Sequence, residues 1–355
     1  MKLSKLGFDK WFSDRTDSSK SADYEIARVT AVNKDSFQIR NGEKDILAEL
    51  TGKMLFNADS PTDIPTVGDW LYVKFYDNES FAVIHEIIPR KSLLKRKTAG
   101  KKTEYQLIGA NIDTAFIIQS FGSDYNLRRL ERYLVVVNEG NIQPVVLLSK
   151  SDLTTEHERN RKISEIRALM PEIRVVEFSN INHYGISKIK DMLIPEKTFC
   201  LLGSSGVGKT TLLNNLTDDV FETNEVREKD GKGRHTTARR QLISLPNDAM
   251  IIDTPGMREL GNITVSTGIN ETFNEITELS EQCLYKNCTH TNENGCAILQ
   301  ALETGRISEE RYRNYIRMNK EIAYNEMSYF EKRKKDKNFG KFCKTVMKNK
   351  ENKRC

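Results

Sequence analysis

Eight consecutive residues, Gly203-Ser204-Ser205-Gly206-Val207-Gly208-Lys209-Thr210, satisfy the pattern Gly-x4-Gly-Lys-Ser/Thr in full. An apolar run over 198–202 precedes them, and the helical run Thr210-Thr211-Leu212-Leu213-Asn214-Asn215-Leu216 overlaps their end. Glycines at these places let successive backbone N–H groups turn inward onto phosphate oxygens. The helix start adds its dipole, Lys209 neutralises β/γ charge, and the Thr210 hydroxyl suits Mg²⁺. A glycine-rich turn alone does not require Lys-Thr at that point. Forty-four residues after Lys209, AMIIDTPGM sets Asp253 at the end of a second buried strand. An acid there can hold Mg²⁺ through water, and the Gly256 N–H can meet a terminal phosphate. Between the two lies TNEVREKDGKGRHTTARR, charged and glycine-bearing, with Thr236 or Thr237 as the Mg²⁺ ligand of a switch loop.

The residues that would read a base stand upstream. Guanine is commonly identified by an Asn/Thr-Lys-x-Asp segment at a strand end, and none follows Gly256. PVVLLSKSDL instead supplies Ser149-Lys150-Ser151-Asp152. Asp152 would accept from guanine N1–H and N2–H₂, and the Lys150 stem would stack on the ring. Ser179-Asn180 closes the next strand, where a backbone N–H for guanine O6 is expected. The order is base, base, phosphate, switch, metal, which is a circular permutation of the usual domain.

A second cluster has metal-ligand spacing. Cys283, Cys288, His290 and Cys296 fall within fourteen residues, whereas Cys200 stands alone and Cys343 and Cys355 lie near the C-terminus. Three thiolates and one imidazole make a complete tetrahedral zinc set, with no open position for catalysis. The expected role is to fold a small module that lacks enough core of its own.

Three kinds of element must carry these residues. Over 24–88, five short strand-like runs broken by Asn41-Gly42, Pro61, Pro65 and Gly68 predict a small closed barrel of the oligonucleotide-binding (OB) type. The stretch 90–105 reads as a basic, turn-rich connection. Beyond it, apolar strands at 114–121, 144–150, 173–179, 198–203, 241–245 and 249–256 alternate with helical runs at 126–140, 156–170 and 185–193 and one opening at Gly208. That alternation calls for a mostly parallel sheet covered on both faces. After about 275 the strand pattern ends, and Ser308 with Glu309 and Glu310 opens a further helix. The expected division is thus multidomain α/β: a barrel over 1–95, a permuted GTPase domain over 96–275, and a zinc module with a basic helical tail over 276–355.

Composition limits the class. The 355 residues are 38% hydrophobic and 30% charged, and no apolar run approaches the roughly 18 needed to span a bilayer. A cytoplasmic, monomeric protein with no membrane partner is expected. The net charge of +5 is concentrated: residues 331–355 hold eleven Lys/Arg against three acids, leaving the other 330 residues at −3. A basic arm on a slightly acidic body points to a polyanion.

Together, the OB-like barrel, the permuted GSSGVGKTT, GRHTT and DTPG motifs and the Cys-x4-Cys-x-His-x5-Cys cluster resemble the ribosome small-subunit-dependent GTPase A family (RsgA/YjeQ) over nearly the whole chain. The resemblance implies a GTPase that acts late in small ribosomal subunit maturation, whose turnover is stimulated by rRNA, with Mg²⁺ accompanying GTP and one structural zinc. Ser149 departs from the family's usual Asn or Thr, and its shorter reach predicts weaker guanine affinity. Two rival readings are an RNA-binding module with a regulatory, non-turning-over guanine nucleotide site and an ATP-using P-loop kinase. The kinase leaves Ser149–Asp152 and the cysteines unexplained. Many GTPases place a water-orienting Gln after Asp-x-x-Gly, but here Met257 follows Gly256. Slow intrinsic hydrolysis is expected, with His235 as the residue that positions the water beside Lys209.

Overall fold

Alternating apolar residues between Glu25 and Ile87 fold as five strands: β1 (Glu25–Val32), β2 (Phe37–Arg40), β3 (Asp45–Leu50), β4 (Trp70–Tyr76) and β5 (Phe81–Ile87). The computed structural model describes residues 3–33, 36–42, 44–97, 105–122, 124–217, 240–253, 267–328, 331–334 and 337. The strands pair in the order β1-β2-β3-β5-β4, and β4 returns to β1, so the barrel is closed. Ala27, Val29, Ile39, Leu71 and Ile84 fill its interior with no exposed surface. Two short helices, α1 (Lys10–Ser13) and α2 (Gly52–Phe56), lie before β1 and between β3 and β4.

The stretch expected as a plain connection contains a strand. β6 (Leu93–Lys97) pairs with β7 (Tyr105–Ala110) in a separate two-stranded sheet. Buried Leu94 draws a chain rich in basic residues into an extended edge.

Beyond β7 come β8 (Thr114–Ser120), α3 (Leu127–Glu139), β9 (Gln143–Ser149), α4 (Glu156–Leu169), β10 (Arg174–Glu177) and α5 (Ile186–Met192). β11 (Thr198–Gly203), α6 (Lys209–Leu216), β12 (Gln241–Ser244) and β13 (Met250–Asp253) follow. Strands β10, β9, β8, β11 and β13 are parallel neighbours in that order, and β12 is antiparallel on β13. Their side chains are apolar on both faces, as a doubly covered parallel sheet requires. Register pairs Ile118 with Gly203 and Ser120 with Ser149, so the ends of β8, β9 and β11 open at one edge of the sheet.

Barrel and sheet are continuous. A bulge between Val29 and Ala31 turns β1, and Ala31 then pairs with Gln241 of β12. Beside this join Arg28 is 1% exposed. It donates to the Leu6 carbonyl, to Gly68 O at 3.1 Å, to Asn111 O at 3.3 Å and to the Thr198 hydroxyl at 2.9 Å. Burial lowers its pKa to about 10, with Asp113, Asp69 and Asp9 opposing the shift. Residues 1–96 and 105–260 form one compact unit, and 97–104 with 261–355 form a second.

In the second unit the described residues form the helices α7 (Thr267–Thr272), α8 (Asn274–Ser280), α9 (Ala297–Glu303) and α10 (Glu309–Glu326), with a turn-rich segment over 281–296. Ser308 caps α10 by accepting from Arg311 N, as its sequence predicts. Arg311 crosses to both neighbouring helices: its guanidinium pairs with Glu275 of α8 and donates to Thr272 O, at the end of α7, at 2.9 Å.

Candidate active site and metal centre

Three glycines shape the loop between β11 and α6. Gly203 (φ +148°) has no room for a side chain, since a Cβ there would lie 2.3 Å from Ile118 O. Gly208 (φ +92°) would carry a Cβ 2.7 Å from Asn180 Nδ2. The left-handed conformation and the close approach both require glycine. Lys209 curls back over the loop and donates to Gly203 O at 2.8 Å and Ser204 O at 2.6 Å. Burial pulls its pKa down to about 8, against the raising influence of Asp253 and Asp124. Thr210 is exposed and Thr211 half-buried at the first turn of α6, and Asp253 ends β13 opposite Gln241. The cationic Lys209, an accessible hydroxyl and a nearby carboxylate are thus gathered at one loop. Thr210 and Asp253 are the oxygen donors that fit a hard cation such as Mg²⁺.

The upstream segments close on this loop. Ser149, fully buried, donates its hydroxyl to Val207 O at 2.7 Å and to Gln119 O at 3.3 Å. Its side chain therefore reaches the phosphate loop. Lys150 takes φ +61°, a left-handed turn that places Ser151 where its N–H meets Phe178 O at 3.2 Å. Asp152 follows, exposed, in a single 3₁₀ turn. Ser179, fully buried, accepts from Ile181 N at 3.1 Å and Asn182 N at 3.4 Å, closing its loop. Asn180 acts through its side chain: Nδ2 donates to Gly208 O at 3.1 Å, and Oδ1 accepts from Asn215 at 3.0 Å. His235, Thr236, Thr237 and Gly256 lie outside the described residues.

Several supporting residues have no sequence signal. Gln119, 1% exposed, both accepts from Asn126 N and donates to Asn126 O at 3.0 Å, which fixes the start of α3. Arg159 reaches from α4 to the carbonyls of Ser151 and Thr154 at 3.3 and 3.2 Å, and pairs with Glu177 at 2.9 Å. Arg159 thereby holds the turn that carries Asp152. Each works across elements, where spacing along the chain is uninformative.

In the second unit the ligand atoms of Cys283, Cys288, His290 and Cys296 all lie within 4.8 Å of one another. His290 Nδ1 stands 3.6 Å from the sulfurs of both Cys283 and Cys296, and those two sulfurs are 3.9 Å apart. Tetrahedral zinc, with bonds of about 2.3 Å to sulfur and about 2.0 Å to nitrogen, separates its ligands by about 3.8 Å (S···S) and about 3.5 Å (S···N). The four donors fit that ion. His290 takes φ +58°, and its carbonyl accepts from Tyr312 Oη at 2.6 Å. Glu293 gathers the N–H groups of Thr289, Thr291 and Asn292 at 2.8–3.1 Å, so the turn keeps its shape through its own hydrogen bonds. Those bonds, the Thr289 hydroxyl foremost, hold the Glu293 carboxyl well below the usual range.

Residues 87–263 match the RsgA GTPase family. The small ribosomal subunit biogenesis GTPase RsgA 2 of Vibrio vulnificus is 35% identical over 350 residues, 98% of this chain and 96% of that protein. The chain belongs to the RsgA GTPase family. Within that family, the RsgA of Methanosarcina acetivorans is 41% identical over 261 residues, 73% of this chain and 70% of its own length. YjeQ from Thermotoga maritima superposes with a TM-score of 0.64 at 25% identity, covering 84% of this chain and 99% of that one. YloQ, described as a circularly permuted GTPase, shares the fold with a TM-score of 0.62 at 23% identity, over 88% of this chain and 100% of its own. β9, which ends at Ser149, precedes β11, which leads into Gly203–Thr210, and this is the order expected of a circularly permuted domain.

Proposed function

We propose that this chain hydrolyses GTP to GDP and phosphate in the maturation of the small ribosomal subunit, the role that its curated relatives are named for. One observation carries the nucleotide reading. The Ser149–Asp152 and Ser179–Asn180 segments are hydrogen-bonded to the phosphate loop at Val207 and Gly208, so base and phosphates of one nucleotide share a single framework. In this reading Asp152 accepts from guanine, Lys150 covers its ring, and the Ser179–Asn180 backbone meets O6. The amides of Ser204, Ser205, Gly206, Val207, Gly208, Lys209, Thr210 and Thr211 cradle the phosphates. Thr210, Thr236 or Thr237, and Asp253 through water would hold magnesium, which when bound would offset phosphate charge. Lys209 leaves the carbonyls of Gly203 and Ser204 for the β/γ oxygens. His235 accepts a hydrogen bond from the attacking water; the water oxygen bonds to the γ-phosphorus, the bond to the β–γ bridging oxygen breaks to release GDP, and the displaced water proton passes to the phosphate product. The Gly256 N–H steadies the terminal phosphate.

The partners in this reading are GTP, GDP and the small subunit with its rRNA, met by a monomer in the cytoplasm. The proposed divisions are a barrel over 1–95, the GTPase over 96–275 and a module over 276–355 that holds one structural zinc through Cys283, Cys288, His290 and Cys296. The basic residues of 331–355 would meet RNA phosphates. Competition binding tests the base assignment. GTP should displace bound GDP where ATP does not, and Asp152→Asn should move preference towards xanthine nucleotides, a change on the order of several kcal/mol in discrimination. Equal competition by ATP and GTP in the parent protein removes the reading.

A further inference from the structure

Three of the four metal ligands in the second unit sit on backbone that closes on itself. Cys283 follows α8, its N–H on Ser280 O at 3.3 Å, and Cys288 ends a turn with its N–H on Tyr285 O at 3.2 Å. Cys296 caps α9, where its carbonyl accepts from Gln300 N at 3.1 Å, and Leu284 N donates to Gly295 O at 3.0 Å to tie the two ends of the segment. The fourth is different. His290 belongs to no helix and takes φ +58°, a left-handed conformation that disfavours a residue bearing a Cβ.

Two side chains hold it there. Glu293 Oε1 accepts from Thr289 N at 2.8 Å and from the Thr289 hydroxyl, and Oε2 accepts from Thr291 N at 2.9 Å and Asn292 N at 3.1 Å. One carboxylate thus fixes the N–H groups of the residues on either side of His290. Tyr312, from α10, donates to His290 O at 2.6 Å. An ionised carboxylate offers about four acceptor sites and no hydrogen, so four converging donors match its capacity.

The consequence for a metal lies in where the cost of ordering falls. In this turn His290 Nδ1 stands 3.6 Å from the sulfurs of both Cys283 and Cys296. Backbone held by the protein's own hydrogen bonds spares the metal the cost of restricting it, and that saving appears as affinity. Without the carboxylate, the N–H groups of Thr289, Thr291 and Asn292 turn to water and the left-handed residue relaxes. Binding would then have to restore it.

We propose that Glu293, with Tyr312, is a positioning residue for the metal: it holds His290 in the turn that delivers Nδ1 to the ion, and so sets the zinc affinity of the cluster without touching the ion. The proposal rests on the zinc reading of the same four ligands.

The test measures Zn²⁺ affinity of the full-length protein by competition with a chromophoric chelator. Glu293→Gln keeps the side-chain length but turns an NH₂ group onto donors, and it should weaken zinc about ten- to one hundredfold, the range for residues that hold a metal ligand in place. Tyr312→Phe should act in the same direction. Because both work through His290, adding Glu293→Gln to His290→Ala should cost less than about twofold, and Glu293→Gln with Tyr312→Phe should lose less than the product of the single losses. Parent-like affinity in Glu293→Gln overturns the proposal. An equal loss with and without the imidazole also overturns it, since the carboxylate would then only support the turn. If His290→Ala binds no zinc, the Glu293→Gln/Tyr312→Phe pair decides, and a full product of the single losses overturns the proposal. A parent that binds no zinc sinks the zinc reading and this proposal with it.

Discussion

Replacing Ser149 with alanine removes one hydroxyl from a position with no exposed surface. That hydroxyl makes the 2.7 Å bond to Val207 O and a longer one, 3.3 Å, to Gln119 O. Water cannot take its place without entering the junction of β9 and the phosphate loop, so the Val207 carbonyl loses a donor in a dry site. The cost is about 1–3 kcal/mol. Where it surfaces depends on the loop. If the loop keeps its shape in the nucleotide-free protein, the whole amount is lost from unfolding free energy and affinity is unchanged. If the loop slackens, nucleotide binding must restore it, and affinity for GTP and GDP falls by between about 5-fold and about 160-fold, the same energy expressed as a ratio. Either way, the unfolding free energy of the GDP-saturated variant should fall by about 1–3 kcal/mol. Denaturant titrations with and without saturating GDP, with direct dissociation constants, measure both parts. Ser149→Thr keeps the hydroxyl and should recover most of the loss. A combined change below about 0.5 kcal/mol in Ser149→Ala would refute the tether, because a net hydrogen bond of ordinary strength exceeds that.

Other perturbations test the remaining parts. Protein purified without chelator should contain about one zinc per chain, and Cys288→Ser should lower only the transition of the second unit; metal-free protein with an unaltered melting profile would rule out a structural ion. The Lys209 pKa of about 8 gives nucleotide affinity a pH dependence. Phosphate needs the protonated ammonium, so affinity is full below pH 8 and falls as pH rises through it, by about tenfold at pH 9; a flat profile from pH 7 to 9 contradicts the assignment. His235→Ala should leave GTP affinity nearly unchanged and abolish most of the hydrolysis stimulated by small subunits. Undiminished stimulation, read as phosphate release, would move the water-positioning role to another group.

What the sequence disclosed, and what it did not, follows from the range of the interactions. Gly203–Thr210 works through its own backbone, and Cys283–Cys296 closes over fourteen residues, so residue types and spacing almost define both. The five barrel strands and the parallel strands are legible because burial on one face or two imprints a period. β6 was not, because its charged residues mask an edge strand held by little beyond Leu94. Ser149 reads as a shortened guanine ligand, yet its hydroxyl faces Val207, fifty-eight positions away. Asn180 reads as a backbone donor, yet its side chain braces Gly208. Such contacts depend on which strand ends meet, and no local pattern encodes that.

Arg28 bears on how the chain can be divided. A fragment beginning after residue 95 would lack β1 and with it the strand covering β12, leaving an unpaired edge of the kind that recruits other chains. It would also lose the guanidinium between the Asn111 carbonyl and the Thr198 hydroxyl, at the start of the strand that leads into Gly203. The barrel by itself would carry a buried cation stripped of those two acceptors. Neither piece is a self-sufficient folding unit. Truncation from the N-terminus should therefore yield insoluble protein rather than a minimal GTPase, and denaturation should take the barrel and the nucleotide sheet together, in one cooperative step.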